Sequence, residues 1–211
     1  MIATTMQINS SCPTAQDRTP QLIEAAQRGS LDAFNALVLA YQDAVYRQAL
    51  WLLGEPEAAD DAAQEAFIRA YQKIGTFHGG PFRPWILRIV SNYCIDQLRR
   101  DKARPSRSLD LYDENDEEIE APFWIKDPGT PVEEMLERKE AQAAIRSCLE
   151  RLSPEYRSAV VLVDIQELDY VEAAAAMGVT LGTFKSRLFR ARLQVQKLLK
   201  QNFSGIASWA L

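Results

Sequence analysis

Six cations, Lys185, Arg187, Arg190, Arg192, Lys197 and Lys200, fall within one short stretch near the C-terminus with no carboxylate among them. The chemistry open to this set is ionic, since ammonium and guanidinium groups hold phosphate oxygens and a row of them along a helix suits a phosphate-lined groove. A second set, Asp60, Asp61, Gln64 and Glu65, offers carboxylates and an amide that accept the guanidinium fork of a basic partner. A third set places Phe77, Phe82 and Trp85 beside Arg83 and Arg88, with Asn92 beyond. Aromatic faces hold unstacked bases, contributing roughly 1–3 kcal/mol per base. His78 is the sole histidine, which excludes a histidine-built metal site or a catalytic triad. Cys12, Cys94 and Cys148 lack CxxC spacing, which argues against a disulfide framework or a zinc site.

The elements that carry the first set are legible from residue 168 to 192. Asp169 and Glu172 form a capping box, Ala173 to Met177 favour helix, and Gly178 supplies a left-handed exit. Thr180 caps a second helix, which carries the cations. A solvated basic face would be the plain account of such a helix. The small Ala residues of the first helix and the three-residue turn Gly178-Val179-Thr180 point instead to a helix-turn-helix.

The second set lies on a helix opened by Pro56 and ended by Gly75, with Ala59, Ala63, Ala66, Phe67, Ala70 and Ile74 on the opposite face. Before it, Phe34, Leu37, Val38, Tyr41, Val45, Ala49 and Leu52 recur at helical spacing between a cap at Ser30 and a stop at Gly54. The third set spans a Gly/Pro-rich loop and an apolar helix ending in Arg99 and Arg100, where Phe82 and Trp85 both have a core fate open to them with Ile86, Ile89 and Val90, Trp85 above all. After the basic stretch 99–107 comes an acidic one, with Asp110, Asp113, Glu114, Asp116, Glu117, Glu118 and Glu120 interrupted by Leu109, Leu111 and Ile119 and followed by Phe123, Trp124 and Ile125. Thr130, Pro131 and Glu133 then start a helix with Ala141, Ala144, Ile145, Cys148, Leu149 and Leu152 on one face, and Ser153 and Pro154 start another.

Net charge is −5 over 211 residues, so a DNA-binding role requires charge to be segregated, as it is between the acidic stretch and the basic helix. No segment approaches the roughly 18 apolar residues of a membrane span. No basic-then-apolar leader opens the chain, and a reducing cytosolic setting is expected.

The segment LGTFKSRLFRAR, preceded by SPEYRSAVVL, resembles the fourth region of bacterial sigma factors of the extracytoplasmic-function class, and AADDAAQEAFIRAYQKI resembles the sigma segment that grips the largest polymerase subunit. The resemblance implies contacts of Asp60, Asp61, Gln64, Glu65 and Phe67 with polymerase. It implies contacts of Thr180, Thr183, Lys185, Ser186, Arg187, Arg190 and Arg192 with an upstream promoter element. It further implies capture of a flipped downstream base by the stretch containing Phe77, His78, Phe82, Arg83, Trp85, Arg88, Asn92, Arg99 and Arg100, with the Asn92 amide as edge reader. The family has larger apolar residues where this chain has Ala62 and Ala63.

The expected architecture is all-α: two small helical domains joined by a flexible acidic linker, the C-terminal one a helix-turn-helix. Its divisions are a disordered lead-in at 1–20, a region 2-like domain at 21–104, the linker at 105–130, a region 4-like domain at 131–204 and a tail at 205–211. The expected function is a sigma initiation factor, not an enzyme, with core RNA polymerase and promoter DNA as partners and an anti-sigma protein as a further one. No cofactor, metal, small-molecule substrate or membrane insertion is expected. A stand-alone helix-turn-helix regulator is the other class, but the N-terminal half shows no phosphate loop, phosphoacceptor setting or heptads.

Overall fold

The computed structural model describes residues 18–103 and 142–202, and every regular element in them is helical. The expected lead-in up to residue 17, the acidic linker, the helix start at Thr130 and the apolar tail lie outside the described residues. Helix α1 (Thr19–Gln27) was not anticipated and takes in Thr19 and Pro20, which the sequence assigned to the lead-in. Pro20 sits at the helix start, where its missing N–H costs nothing. Helix α2 (Leu31–Leu53) has the expected bounds: the Ser30 hydroxyl accepts from the Ala33 N–H at 3.3 Å, and Gly54 takes φ 87°.

Helix α3 (Pro56–Lys73) runs into a 3₁₀ turn (Ile74–Thr76), and a loop leads to α4 (Phe82–Ala103). The buried face of α3 differs from the expected one. Ala59, Ala62, Ala66 and Ala70 are fully enclosed, whereas Ala63 and Phe67 are half-buried. Spacings of three and four residues make this the true helical stripe, and its methyl groups let the α3 backbone sit close against α2 and α4. Ala62 is part of this tight seat.

The C-terminal half begins with α5 (142–150), followed by α6 (Pro154–Val160), whose first turn is capped by Ser153. A π-helical turn (Val161–Ile165) continues α6, with the Gln166 N–H donating to the Val161 carbonyl at 2.9 Å. Helix α7 (Tyr170–Met177) starts with the expected capping box, in which Asp169 Oδ1 accepts from the Val171 and Glu172 N–H groups at 2.8 and 2.7 Å. Gly178 (φ 65°) ends α7, and α8 (Leu181–Asn202) follows. Phe184, Leu188 and Ala191 bury one face of α8 against α6 and the rest of its half.

The two halves share one apolar cluster, and their junction is lined by polar groups. Arg157, 5 % exposed, donates from Nε to the Leu149 carbonyl at 2.8 Å, from Nη2 to the Glu150 carbonyl at 2.6 Å, and from Nη1 to the Leu52 carbonyl. One guanidinium therefore caps the C-terminal ends of α5 and α2, where carbonyls lack helical partners and the dipole favours a cation. Gln166, also buried, donates to the Ala44 carbonyl at 2.9 Å and accepts from Arg83 Nη2 at 3.2 Å.

Candidate nucleic-acid interface

The basic helix separates into two kinds of residue. Lys185, Ser186 and Arg190 are exposed on α8, and neither Lys185 nor Arg190 forms an ion pair with a described residue. Arg192 is tied to Asp164, from Nε at 3.2 Å and from Nη2 at 2.5 Å, and this bond holds its pKa above the ordinary value. It anchors α8 to the π-helical turn. Arg187 is half-buried and faces α4, lining a cleft with Asn92, Asp96 and Arg99. Thr180 performs the expected cap, its Oγ1 accepting from the Thr183 N–H at 3.3 Å and bonding the Thr183 hydroxyl at 2.9 Å. The N-terminal turn of α8 thus presents hydroxyls, free N–H groups and Lys185 to solvent, groups chemically suited to phosphate oxygens.

The aromatics of the third set are not laid out for bases. Phe77 and Phe82 are 8 % and 2 % exposed and meet edge to face with ring centroids 5.8 Å apart. Trp85 is half-buried 5.1 Å from Phe77 and 5.3 Å from Phe82, and Tyr41 adds a fourth ring 5.1 Å from Phe82. Of the two fates open to Phe82 the core is the one taken, and the base-stacking expected of Phe77 is corrected: buried rings gain more by packing on one another than they would by standing exposed, so the two staple the ends of the loop. Between them His78, Gly79 and Gly80 are exposed, with both glycines at φ near 90° (92° and 90°). Only glycine adopts that conformation without strain, which lets the loop fold back tightly.

On α4, Arg88, Asn92, Arg99 and Arg100 are exposed and Arg83 is half-buried. Arg83, Arg88 and Arg99 are all turned to the other half. Arg83 meets Gln166, Arg99 pairs with Glu155 at 2.7 Å, and the Arg88 guanidinium lies where a Cβ on Gly178 would come within 2.9 Å. Burial pushes the Glu155 carboxyl up, but the Arg99 bond and charge, its own backbone N–H and Ser153 outweigh this and hold it below the usual range. Asn92 lines the cleft of about 630 Å³ between α4, α6 and α8.

The acidic set lies on a groove of about 570 Å³ between α2 and α3. Asp60, Gln64 and Phe67 line it at spacings that share a helix face, together with Gln42, Asp43 and Tyr46 from α2. Those three α2 residues were missed because the groove is formed by two helices whose register only the fold gives. Burial, then the Asp60 charge, push the Tyr46 hydroxyl up, so it remains a protonated donor. Asp61 and Glu65 do not line the groove: Glu65 is bonded to Arg69 Nε at 2.7 Å, on the side of α3 that faces α4. Arg69 in turn lies 4.9 Å over the Tyr93 ring. Among the described residues no group of His, Cys, Asp and Glu is placed to hold a metal, and no helix is long and apolar enough to cross a membrane. Burial pushes the Cys94 thiol up to about 12, leaving it an inert core residue.

Comparison with known proteins agrees with this geometry. Residues 37–104 match Sigma-70 region 2, and residues 142–195 match Sigma-70, region 4. The RNA polymerase sigma-H factor of Pseudomonas aeruginosa is 36% identical over 88% of this chain and 95% of its own. The ECF RNA polymerase sigma factor SigW of Bacillus subtilis is 33% identical over 84% of this chain and 95% of its own. Two solved structures share the fold at 24% identity. CnrH in complex with the cytosolic domain of CnrY has a TM-score of 0.63 and covers 88% of this chain and 99% of its own. The sigma factor RpoE of Bartonella quintana, in complex with the anti-sigma factor NepR, has a TM-score of 0.58 and covers 82% and 99%. With both regions matched in order and relatives aligned over nearly their full length, the chain belongs to the extracytoplasmic-function class of sigma-70 family RNA polymerase sigma factors.

Proposed function

We infer that this chain is a sigma initiation factor in which each of three surfaces has one task. The groove lined by Asp60, Gln64, Phe67 and Tyr46 takes a basic helix of core RNA polymerase, and Asp61 and Glu65 add negative charge on the same helix outside the groove. The exposed face of α8, with Thr183, Lys185, Ser186 and Arg190, enters the major groove of the upstream promoter element, and Arg187 joins it when the halves separate. The loop at 78–81 and the α4 side chains Arg83, Arg88, Asn92, Arg99 and Arg100 capture the melted downstream strand. Bond making belongs to polymerase, so the chain itself carries no catalytic residue. Its place of action is the cytoplasm, and an anti-sigma protein is the class of regulator that fits.

The observation that carries this reading over a duplex-reading regulator is the second nucleic-acid surface. A helix-turn-helix regulator has no use for a glycine loop stapled between aromatics and continued by an arginine-bearing helix with Asn92. The deciding experiment is run-off transcription with core polymerase added. Promoter-specific transcripts that require this chain are expected, and DNA binding without initiation would overturn the assignment.

A further inference from the structure

Helix α1 lies before the stretch that matches region 2, yet it holds the downstream-strand loop at both ends. Gln27, in its last turn, donates from Nε2 to the Ile74 carbonyl at 3.0 Å and to the Phe77 carbonyl at 2.7 Å. Both partners are acceptors only, so the amide must present its NH₂ end, and a single nitrogen spends both protons on the root of the loop. At the far end, Thr19 bonds the Tyr41 hydroxyl at 3.1 Å, and the Tyr41 ring packs on Phe82, the first residue after the loop. Ile23 and Ala26, 8 % and 2 % exposed, fix α1 to the core between these two ties.

The segment so held needs holding. Gly79 and Gly80 have φ of 92° and 90°, and a Cβ at either would meet nothing within 4 Å, so these two residues have no side-chain packing of their own to fix the loop tip. Its geometry depends on its two ends. We propose that Gln27 is a positioning residue for promoter melting: through the Ile74 and Phe77 carbonyls it sets the loop that captures the unpaired downstream strand. Gln27 is itself exposed and contributes little to the core, so its loss leaves the fold intact.

This inference rests on the loop's assignment to strand capture, and the test separates the two. Reconstituted holoenzyme carrying Gln27→Met, Gln27→Glu or Gln27→Lys is compared with one in which 78–81 is replaced by Gly and Ser, and opening is read by permanganate reactivity of unpaired thymines. Gln27→Met keeps the size and removes both donors, and is expected to slow opening about tenfold. Gln27→Glu, which sets a carboxylate against two carbonyls, is expected to be worse, while Gln27→Lys recovers to within about threefold because an ammonium donates to both. Core binding and upstream duplex binding stay at wild-type levels in all three, and a pre-melted bubble narrows the difference. Wild-type opening in the Met and Glu variants beside a defective loop replacement overturns the inference alone. Wild-type opening in the loop replacement overturns strand capture itself, and a defect in Gln27→Met matched by lost core binding reduces Gln27 to a structural role and overturns the inference.

Discussion

Arg157 on α6 donates a hydrogen bond to the carbonyl of Leu52 in the last turn of α2, 105 residues away in sequence. The same guanidinium caps α5, so one buried cation joins the halves. Replacing it with Met leaves carbonyls of two helix ends without their donor. A loss of roughly 2–5 kcal/mol of stability is expected, with Lys recovering part of it. Thermal unfolding measures the stability, and small-angle scattering reads the separation of the halves. An unchanged melting temperature would show that water replaces Arg157 at no cost.

The α2–α3 groove predicts a graded effect of charge. Asp60→Arg and Gln64→Arg place cations where the groove needs acceptors and are expected to abolish binding to core polymerase, while Phe67→Ala weakens it. Asp61→Arg, outside the groove, is expected to cost less, and Glu65→Arg to act partly by releasing Arg69. Affinity for core polymerase measured alongside circular dichroism checks the order. Equal affinity across the set would make the acidic face ordinary surface.

On α8 the structure separates exposed cations, Lys185 and Arg190, from Arg192, which is paired with Asp164. Lys185→Ala and Arg190→Ala are expected to weaken promoter binding, and a phosphate contact among them reduces the salt slope by about 1. Arg192→Ala breaks the Asp164 pair, which is solvent-exposed enough to contribute at most about 1 kcal/mol, and should leave the slope unchanged. Titrations of promoter affinity against salt decide this, and a reduced slope for Arg192→Ala would move it to the DNA.

Asn92 has no hydrogen-bonding task in the junction that the structure displays, although it lines the cleft there. Holoenzyme with Asn92→Ala is expected to bind duplex promoter normally but open it poorly, with a pre-melted bubble partly restoring activity because unpairing has already occurred. Footprinting of unpaired thymines measures it. Normal opening would remove Asn92 from the reading of the base.

The helix-turn-helix was legible because its signals are local: Asp169, Glu172, Gly178 and Thr180 each do what the sequence indicates. The bounds of α2 were legible for the same reason. What the sequence did not reveal depends on distant partners. The enclosed stripe of α3 was placed one position off at Ala63, since alanine in a run of alanines carries no periodic contrast. Phe77 and Phe82 read as base-stacking residues because aromatics beside arginines look alike whether buried or free, and only Tyr41 and Trp85 close the cluster. Gln42, Asp43 and Tyr46 carry no motif of their own, and Helix α1 is short, with a proline at its start, so it blended into the polar lead-in.

Arg83, Arg88 and Arg99 are turned toward the C-terminal half, so these three side chains become fully available to a DNA strand only in molecules whose halves have parted. The apparent affinity of the unassembled protein is its intrinsic affinity scaled by that fraction, so each tenfold preference for the joined arrangement weakens strand binding tenfold, or about 1.4 kcal/mol. On the proposed assignment of the α2–α3 groove to polymerase, a polymerase that also held the C-terminal half at a separate site would remove this tax. The junction also carries polar groups, and because Arg157, Gln166 and Glu155 all find water when the surfaces separate, part of the cost of exposing the shared apolar cluster is offset.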